Sequence, residues 1–317
     1  MDKKEQMNMN IYISCFTSDF EIMKKKWNLK KRGYSLNKNQ RKRYANQTGA
    51  ILEYAWDNNT LTRLRTQDCP FGMCTVGSRL FICDAKRNTI VVYNAQTLDV
   101  IGEIHSSLFN DIHSITHYEN DLIVSSSGID TVVKVSLTDY STEPVISFIN
   151  SRNGIKIENP DCKIDKSVDY SKLHIATEEQ ATHLNYAAIM SDGSLGVNLF
   201  HQGCIISCKD NGFSFLAKGM YRSHAFFEYN KKLYTADSGN HCVRIYSLPD
   251  FNFVKMMKFE GWVQDIKKIE HDDRSLMFVS DADNCLIHVY DLHLEKLIRT
   301  IQLPQNYRIS SCELKLT

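Results

Sequence analysis

The stretch Leu233–Tyr246, LYTADSGNHCVRIY, decides the fold because other parts of the chain repeat its plan. In each copy a short apolar run ends in a polar turn and a second apolar run follows. The other copies are Leu80–Tyr93, Leu122–Val135, Leu195–Ser207 and Met277–Tyr290. Short β runs joined by polar turns, at a period of about 40 residues, are typical of a β-propeller, in which each repeat is one four-stranded blade. The sequence therefore predicts an all-β propeller with at least five blades.

The two ends of the chain predict a sixth blade. Ile309–Leu314 falls where another innermost strand is due, while Ile11–Cys15, Ala50–Trp56 and Thr60–Arg65 resemble the three remaining strands. A last blade shared between the N- and C-terminal strands would close the ring and remove exposed sheet edges. We therefore expect one domain over residues 1–317 with six blades, and a five-bladed ring is the alternative.

Composition limits the classes of function. The 317 residues are 43% hydrophobic and carry a net charge of +1, so the chain can bury a large core and lacks the basic excess of a nucleic-acid binder. Residues 1–6 lack the apolar segment of a signal peptide, and no run approaches the roughly 18 apolar residues of a membrane-spanning helix. Ten scattered cysteines indicate free thiols in a reducing compartment. We expect a cytoplasmic protein without membrane or nucleic-acid contacts.

One turn resembles a known repeat. Ala236–Arg244, ADSGNHCVR, is similar to the turn of the NHL repeat, and the chain resembles the six-bladed propellers of the NHL and gluconolactonase-like superfamily. Ile13–Phe16 and Asp111–Ile115 are also similar to segments of a bacterial propeller family of unknown function. The resemblance implies the architecture. It implies no catalytic residues, because gluconolactonase-like enzymes hold calcium mainly through oxygen ligands and this chain does not place that set.

A second periodicity concerns the residues that begin the innermost strands. His183, His224 and Asp265 follow one another at intervals of 41 residues, and His113 precedes His183 by 70, which is one interval plus an insertion of 29. Gly72 lies 41 residues before His113 and would leave one sector of the ring open. Innermost strands line the central channel, so we expect the three histidines and Asp265 to point inward at one level.

Three imidazoles that converge and leave open positions are typical of a catalytic transition-metal site. We therefore predict that His113, His183 and His224 bind one divalent metal: iron, zinc, manganese or copper. Asp265 would be a fourth ligand, a general base or a residue that orients a histidine. The alternative for each histidine is a hydrogen bond to the backbone of a neighbouring blade.

The turns at the same mouth supply two further candidates. His201 and Asp237 could transfer protons, and the alternative for Asp237 is capping of backbone amides. Insertions at residues 18–48 and 150–180 exceed the usual connection lengths and are expected to cover the mouth. The first insertion is basic, so we predict that substrate carboxylates or phosphates bind there or at the closing blade, through Arg32, Arg41, Arg43 and Arg308. The alternative for this insertion is a solvated surface loop.

These features favour a metal-dependent enzyme that acts on a small, polar, anionic substrate at the channel mouth. An all-histidine set favours non-haem iron and an oxidoreductase, while lyase, epimerase and hydrolase chemistry stay open. The sequence lacks the GxSxG, P-loop, GxGxxG and HExxH motifs, which removes support for serine hydrolases, P-loop NTPases, Rossmann oxidoreductases and zincins. The alternative is a noncatalytic propeller that binds a protein or carbohydrate partner through its mouth.

Overall fold

The strands of the protein, seen in a computed structural model, form six antiparallel sheets. The structure describes residues 9–17, 48–151, 154–158, 163–173, 175, 177, 180–209, 212–305 and 307–315. Short 3₁₀ turns lie at Ser127–Ile129, Tyr170–Lys172 and Ser238–Asn240. Within these ranges, no helix combines the length and the apolar character that crossing a membrane requires.

Each sheet is one blade. The first three strands of the chain are β1 (Asn10–Thr17), β2 (Thr48–Ala55) and β3 (Thr60–Gln67). Blade 1 contains β4 (Pro70–Val76), β5 (Arg79–Asp84), β6 (Thr89–Asn94) and β7 (Val100–His105). Blade 2 contains β8 (Ile112–Tyr118), β9 (Asp121–Ser126), β10 (Thr131–Ser136), β11 (Thr142–Ser151) and β12 (Gly154–Glu158). Blade 3 contains β13 (Leu184–Ile189), β14 (Leu195–Leu199), β15 (Cys204–Lys209) and β16 (Gly212–Ala217).

The remaining blades complete the ring. Blade 4 contains β17 (Ser223–Tyr229), β18 (Lys232–Asp237), β19 (Cys242–Ser247) and β20 (Phe253–Lys258). Blade 5 contains β21 (Val263–His271), β22 (Arg274–Asp281), β23 (Leu286–Asp291) and β24 (Lys296–Gln302), and β25 (Tyr307–Lys315) follows. The innermost strands touch in a closed circuit, β4, β8, β13, β17, β21, β25 and β4 again. The prediction of an all-β, six-bladed propeller is confirmed.

The closing blade joins the two ends of the described chain. Its strand order is β25, β1, β2, β3, and the antiparallel pairing of β1 with β25 runs from Asn10 opposite Lys315 to Thr17 opposite Tyr307. Strand β25 is the innermost strand, as the sequence predicts. The ring is therefore held closed by backbone hydrogen bonds between segments almost 300 residues apart in sequence.

The core lies between neighbouring blades. The second strands are largely buried, as in β14, where all five residues are buried, because blades cover both of their faces. The outermost strands face solvent, and β20 alternates between exposed and half-buried residues over most of its length. Phe226 and Phe278 are each 1% exposed, and burying such a ring contributes about 2–3 kcal/mol to stability.

Gly72 has a packing role in this ring. A Cβ atom at Gly72 would lie 2.8 Å from Ser114 Cα and 3.0 Å from the His113 carbonyl oxygen, so only glycine lets β4 approach β8 this closely. The glycine therefore tightens the ring at blades 1 and 2.

The second insertion is partly sheet and partly a segment that lies against blade 2, and its covering of the channel mouth stays a prediction. Strand β12 pairs with β11 and adds a fifth strand to blade 2. Residues 163–173, here called the cover segment, lie against the mouth loops of blade 2. Lys163 Nζ donates to the carbonyl oxygens of Ile129 and Phe148, both at 2.6 Å, and Asn110 Nδ2 donates to the carbonyl oxygen of Tyr170 at 2.6 Å. Residues 18–47 of the first insertion lie outside the described residues.

Candidate functional site

The innermost strands of blades 2 to 5 are irregular near their first residues. The pairing of each with the second strand of its blade changes register there. The residues within the register changes include His113, Asn185, His224 and Gln264. Such bulges redirect side chains from the regular alternation of a strand. All four of these residues line one cavity on the propeller axis.

This cavity, here called the axial pocket, has a volume of about 40 Å³. Further lining residues are Phe71, Gly72, Met73, Ser114, Ile115, Tyr186, Ala225, Asp265, Lys267, Ser310 and Ser311. A water molecule needs at least roughly 10–15 Å³ measured in this way, so the pocket holds a few waters or one small polar group of a larger ligand. Most of the strands that line it contribute a side chain capable of hydrogen bonding.

Asn185 has an unusual environment in the axial pocket. Its side chain is 4% exposed, and neither Oδ1 nor Nδ2 has a hydrogen-bond partner among the described residues. Nearly all buried polar groups in folded proteins are hydrogen-bonded, and an unsatisfied one costs about 1–3 kcal/mol. The amide therefore presents both a donor and an acceptor to whatever occupies the pocket.

Asp265 lies in the same wall and is 9% exposed. Burial raises the pKa of its carboxyl group to about 6, against the opposing effects of the Lys267 charge and of a hydrogen bond from Ser311. A carboxyl group with a pKa close to neutral can both accept and donate a proton under ordinary conditions.

Lys267 supplies a fixed positive charge beside Asp265. Its Nζ lies 2.7 Å from Glu313 Oε2 and donates to the Met73 carbonyl oxygen at 3.1 Å. Burial alone would lower the pKa of Lys267, but the Glu313 carboxylate outweighs this effect and holds the pKa above its usual value. Both Lys267 and Asp265 belong to β21, whereas Ser311 and Glu313 belong to β25.

Hydrogen bonds set the tautomers of the two histidines in the pocket. His113 Nδ1 lies 2.8 Å from the Asp111 carbonyl oxygen, which can only accept, so Nδ1 carries the proton. His224 Nδ1 lies 2.7 Å from Ser238 Oγ, and Ser238 Oγ donates to the Val263 carbonyl oxygen, so His224 Nδ1 is also the donor. In the neutral ring of each histidine, Nε2 is then the basic nitrogen.

His183 occupies a different position from the other two histidines. It precedes β13 and has a left-handed backbone with φ of 49°, which matches Asp111 at 49° and Arg222 at 57° in the adjacent blades. Asn185, two residues later, is the residue that corresponds to His113 and His224. The structure thus brings His113 and His224 to the axial pocket and places His183 above it, outside the pocket wall.

The three histidines nevertheless belong to one band of rings around the mouth. Successive ring centroids lie 4.6, 5.3, 4.5, 5.2 and 5.6 Å apart. In order, the rings of this aromatic belt are Phe71, His113, His183, Phe200, His224 and Trp262. The edge of the Phe200 ring separates His183 from His224.

The belt geometry does not support the predicted metal centre. Among the residues that the structure describes, no group of three or more histidine, cysteine, aspartate or glutamate side chains is arranged to hold a metal ion. The physical reason is the two-residue offset of His183, which leaves the Phe200 ring between His183 and His224, at centroid distances of 4.5 and 5.2 Å. Binding of a divalent metal stays a prediction.

Asp237 and Arg308 hold the fold together. The Asp237 carboxylate is fully buried, accepts from Tyr221 N at 2.7 Å and forms an ion pair with Arg244 at 2.6 Å. Arg308 is 9% exposed and donates to Asp283 Oδ1 at 3.0 Å. The capping alternative therefore describes Asp237 well.

His201 is exposed and contacts the belt through His183. Arg32, Arg41 and Arg43 lie outside the described residues. The proposed roles of these residues stay predictions.

Sequence reasoning missed several residues of this site: Asn185, Lys267, Glu313, Phe200, Arg222 and Trp262. A signal for Asn185 was present, because Leu184-Asn185-Tyr186 repeats the apolar-polar order of Ile112-His113-Ser114. The aromatic residues could not be found in this way because they come from loops whose lengths differ between blades.

Comparisons with known proteins identify the architecture. No family model and no curated protein matches the chain. A chain of the nidogen/laminin complex superposes with a TM-score of 0.64 at 10% identity, covering 96% of this chain and 98% of that one. A streptogramin B lyase superposes with a TM-score of 0.50 at 10% identity, covering 74% of this chain and 83% of the lyase. Virginiamycin B lyase from Staphylococcus aureus superposes with a TM-score of 0.50 at 9% identity, covering 78% of this chain and 95% of the lyase. At these identities the likeness shows the propeller fold alone, and propellers with and without enzymatic activity share it.

Proposed function

We propose that the protein is an enzyme that binds a small polar molecule in the axial pocket and transfers protons there. One observation carries the proposal: Asn185 is a buried amide without a partner among the described residues, in a pocket that also contains Asp265 and two histidines. A side chain that lowers stability in this way is retained when a ligand completes its hydrogen bonds. The ligand must offer both an acceptor and a donor, as a hydroxy acid, sugar acid or amide does.

The acid-base groups support a proton-transfer reaction. Asp265 can remove a proton when its carboxyl group is ionised, and the Nε2 atom of His113 or His224 can accept or return one. Lys267 remains charged beside them and can stabilise negative charge that develops on the substrate. This set of residues suits a lyase or isomerase, and it replaces the preference for an oxidoreductase that a three-histidine iron site implied.

The propeller neighbours are compatible with this class of reaction. Streptogramin B lyase and virginiamycin B lyase are named as lyases, so the architecture can hold such chemistry. A cytoplasmic location is part of the proposal, because the nine described cysteines are all buried thiols, as expected in a reducing compartment.

A screen of sugar acids, hydroxy acids and amides tests the proposal. Ligands would be found by the rise in melting temperature of the wild-type protein, and their conversion would be followed by proton NMR. We expect Asn185→Leu to abolish the thermal shift, and Asp265→Asn to retain binding while turnover falls by about 10²–10⁴. A ligand that stabilises Asn185→Leu as much as wild type would refute the pocket, and binding without any turnover would favour a noncatalytic propeller.

A further inference from the structure

The aromatic belt is open to solvent on one side only. Phe71, His113 and His183 are buried, whereas the rings on blades 3 to 5 are partly exposed. The residues on this open side, here called the mouth cluster, are Phe200, Tyr221, Arg222, His224 and Trp262. Tyr221 is 48% exposed, so the cluster presents ring surface at the entrance of the channel.

Arg222 is the charged member of the mouth cluster. Its guanidinium carbon lies 5.2 Å from the Tyr221 ring centroid and 6.0 Å from that of Phe200. Among the described residues it forms no ion pair and donates no hydrogen bond, unlike Arg244 and Arg308 nearby, which pair with aspartates. A guanidinium stacked on rings keeps its edge N–H groups available, and these match a carboxylate in a two-point geometry.

The mouth cluster is joined to the axial pocket. Trp262 Nε1 donates to Gln264 Oε1 at 2.9 Å, and Gln264 lines the pocket. The His224 ring packs against both Phe200 and Trp262, and His224 also lines the pocket. A molecule held by the cluster can therefore extend a polar group toward Asn185.

We propose that the mouth cluster is a binding subsite for a planar ring that carries an anionic group, such as an aromatic or heteroaromatic carboxylate. The ring would stack on Trp262 and Phe200, and the carboxylate would pair with Arg222. This inference rests on the proposed function, because it names the class of substrate for the axial pocket. The rings converge on one narrow channel, which favours a single small ring over the side chains of a protein surface.

Binding of four probes to the full chain tests the subsite. Naphthoate has both the planar aromatic ring and the negative charge. Naphthamide lacks the charge, and cyclohexanecarboxylate lacks the aromatic ring. A Phe-Glu peptide represents a protein partner. Affinities would be measured by saturation-transfer NMR. We expect naphthoate to bind at least fivefold more tightly than each of the other three probes, and Arg222→Gln to weaken naphthoate about tenfold. Arg222→Lys keeps the charge without the planar fork and should give an intermediate loss.

Arg79→Gln is the matched control, because Arg79 also lies over two rings, Phe81 and Tyr140, at 5.4 and 6.0 Å, but at the opposite end of its blade. It should leave naphthoate binding unchanged. Trp262→Leu should weaken the aromatic probes and leave cyclohexanecarboxylate within twofold of wild type. Unfolding curves of the variants that match wild type would show that each variant is folded.

Equal binding of naphthoate by wild type and Arg222→Gln would overturn the subsite, and so would binding of the Phe-Glu peptide in preference to naphthoate. The failure of the proposed function gives a different result. Suppose that Arg222→Gln removes naphthoate binding, but that no aromatic carboxylate is turned over by wild type or by Asp265→Asn. The binding subsite is then supported, and the proposed acid-base reaction is refuted.

Discussion

Asn185 and Asp265 both lower the stability of the fold. Within the part of the chain that the structure describes, the buried Asn185 amide has no hydrogen-bond partner, and the Asp265 carboxyl group is held where its charged form is disfavoured. Natural sequences retain such groups mainly where function requires them. Replacing either residue should therefore stabilise the protein while its activity is lost.

For Asn185→Leu we expect the free energy of unfolding to rise by about 1–3 kcal/mol, because an apolar side chain of similar volume has no hydrogen bonds to lose. Urea denaturation followed by tryptophan fluorescence measures the change. Asn185→Ala removes the amide but leaves a cavity, so its free energy of unfolding should rise less than that of Asn185→Leu. A loss of stability in the leucine variant would show that the amide is satisfied.

Asp265 makes stability depend on pH. Its pKa is about 6 in the folded protein, above the ordinary aspartate value of 3.8, so between these values the folded protein keeps a proton that the unfolded chain releases. Stability due to this residue therefore falls as pH rises from about 4 to about 6, and the penalty stays constant above that range.

Asp265→Asn should remove this penalty. We expect the variant to be more stable than wild type by about 3 kcal/mol at pH 8 and to differ little from it at pH 4. Melting temperatures measured across this range provide the check. Asp57→Asn, at an exposed turn position, is the control and should show no such pH-dependent difference. A constant offset between Asp265→Asn and wild type at all pH values would contradict the expectation.

At the scale of the strands, register decides which side chains reach the axis. The repeated pairs of apolar runs around a polar turn predicted the second and third strands of blades 1 to 5, because two apolar runs at a fixed separation leave one possible pairing. The first residues of β13 were not predicted correctly, because the 29-residue insertion before His183 removes the constraint of a fixed interval. A shift of two residues keeps the same face of a strand inward, so periodicity could not separate His183 from Asn185.

The cover segment depends on one buried lysine. Burial lowers the pKa of Lys163 to about 8, although the Asp130 charge opposes the effect, and Nζ donates to two carbonyl oxygens of blade 2 at 2.6 Å. Methionine in its place would fill the space and leave both carbonyl groups without this donor. The segment should then detach more often from the mouth.

We expect Lys163→Met to lower stability by about 1–3 kcal/mol and to increase amide hydrogen exchange in residues 163–173. Hydrogen-exchange mass spectrometry resolves this region. Lys172→Met is the control within the same segment, because the Lys172 side chain is 80% exposed. Equal exchange in the two variants would mean that other contacts hold the cover segment.

At the scale of the whole molecule, closure of the ring was predictable from the sequence. The sequence near the C-terminal strand offers no further strands to complete a blade, and the three N-terminal strands have no innermost strand. Joining the two sets in one blade removes two exposed sheet edges. The identity of the site was less predictable, because its residues come from all six blades and from loops. Only His113, His224 and Asp265, all at the beginning of innermost strands, were placed correctly at the axial pocket.

Removal of residues 305–317 should open the ring. Strand β25 buries Ile309 and Cys312 against β1, so without it the edge of β1 and the apolar faces beneath it are exposed. We expect the melting temperature to fall by roughly 10 °C or more, with aggregation visible by size-exclusion chromatography. A synthetic peptide of residues 305–317 added in trans should restore part of the transition. A truncated chain that stays monomeric and melts like the full chain would contradict a closed ring.

Strand β25 also supplies Ser310 and Ser311 to the axial pocket and Glu313 as the partner of Lys267, although every other strand that the structure describes is translated before it. A nascent chain that has not yet released this segment from the ribosome lacks the counter-ion of Lys267 and the hydroxyl group beside Asp265. Under the proposed function, chemical competence would arise in the same step that seals the toroid, and molecules that lack β25 should not turn over substrate.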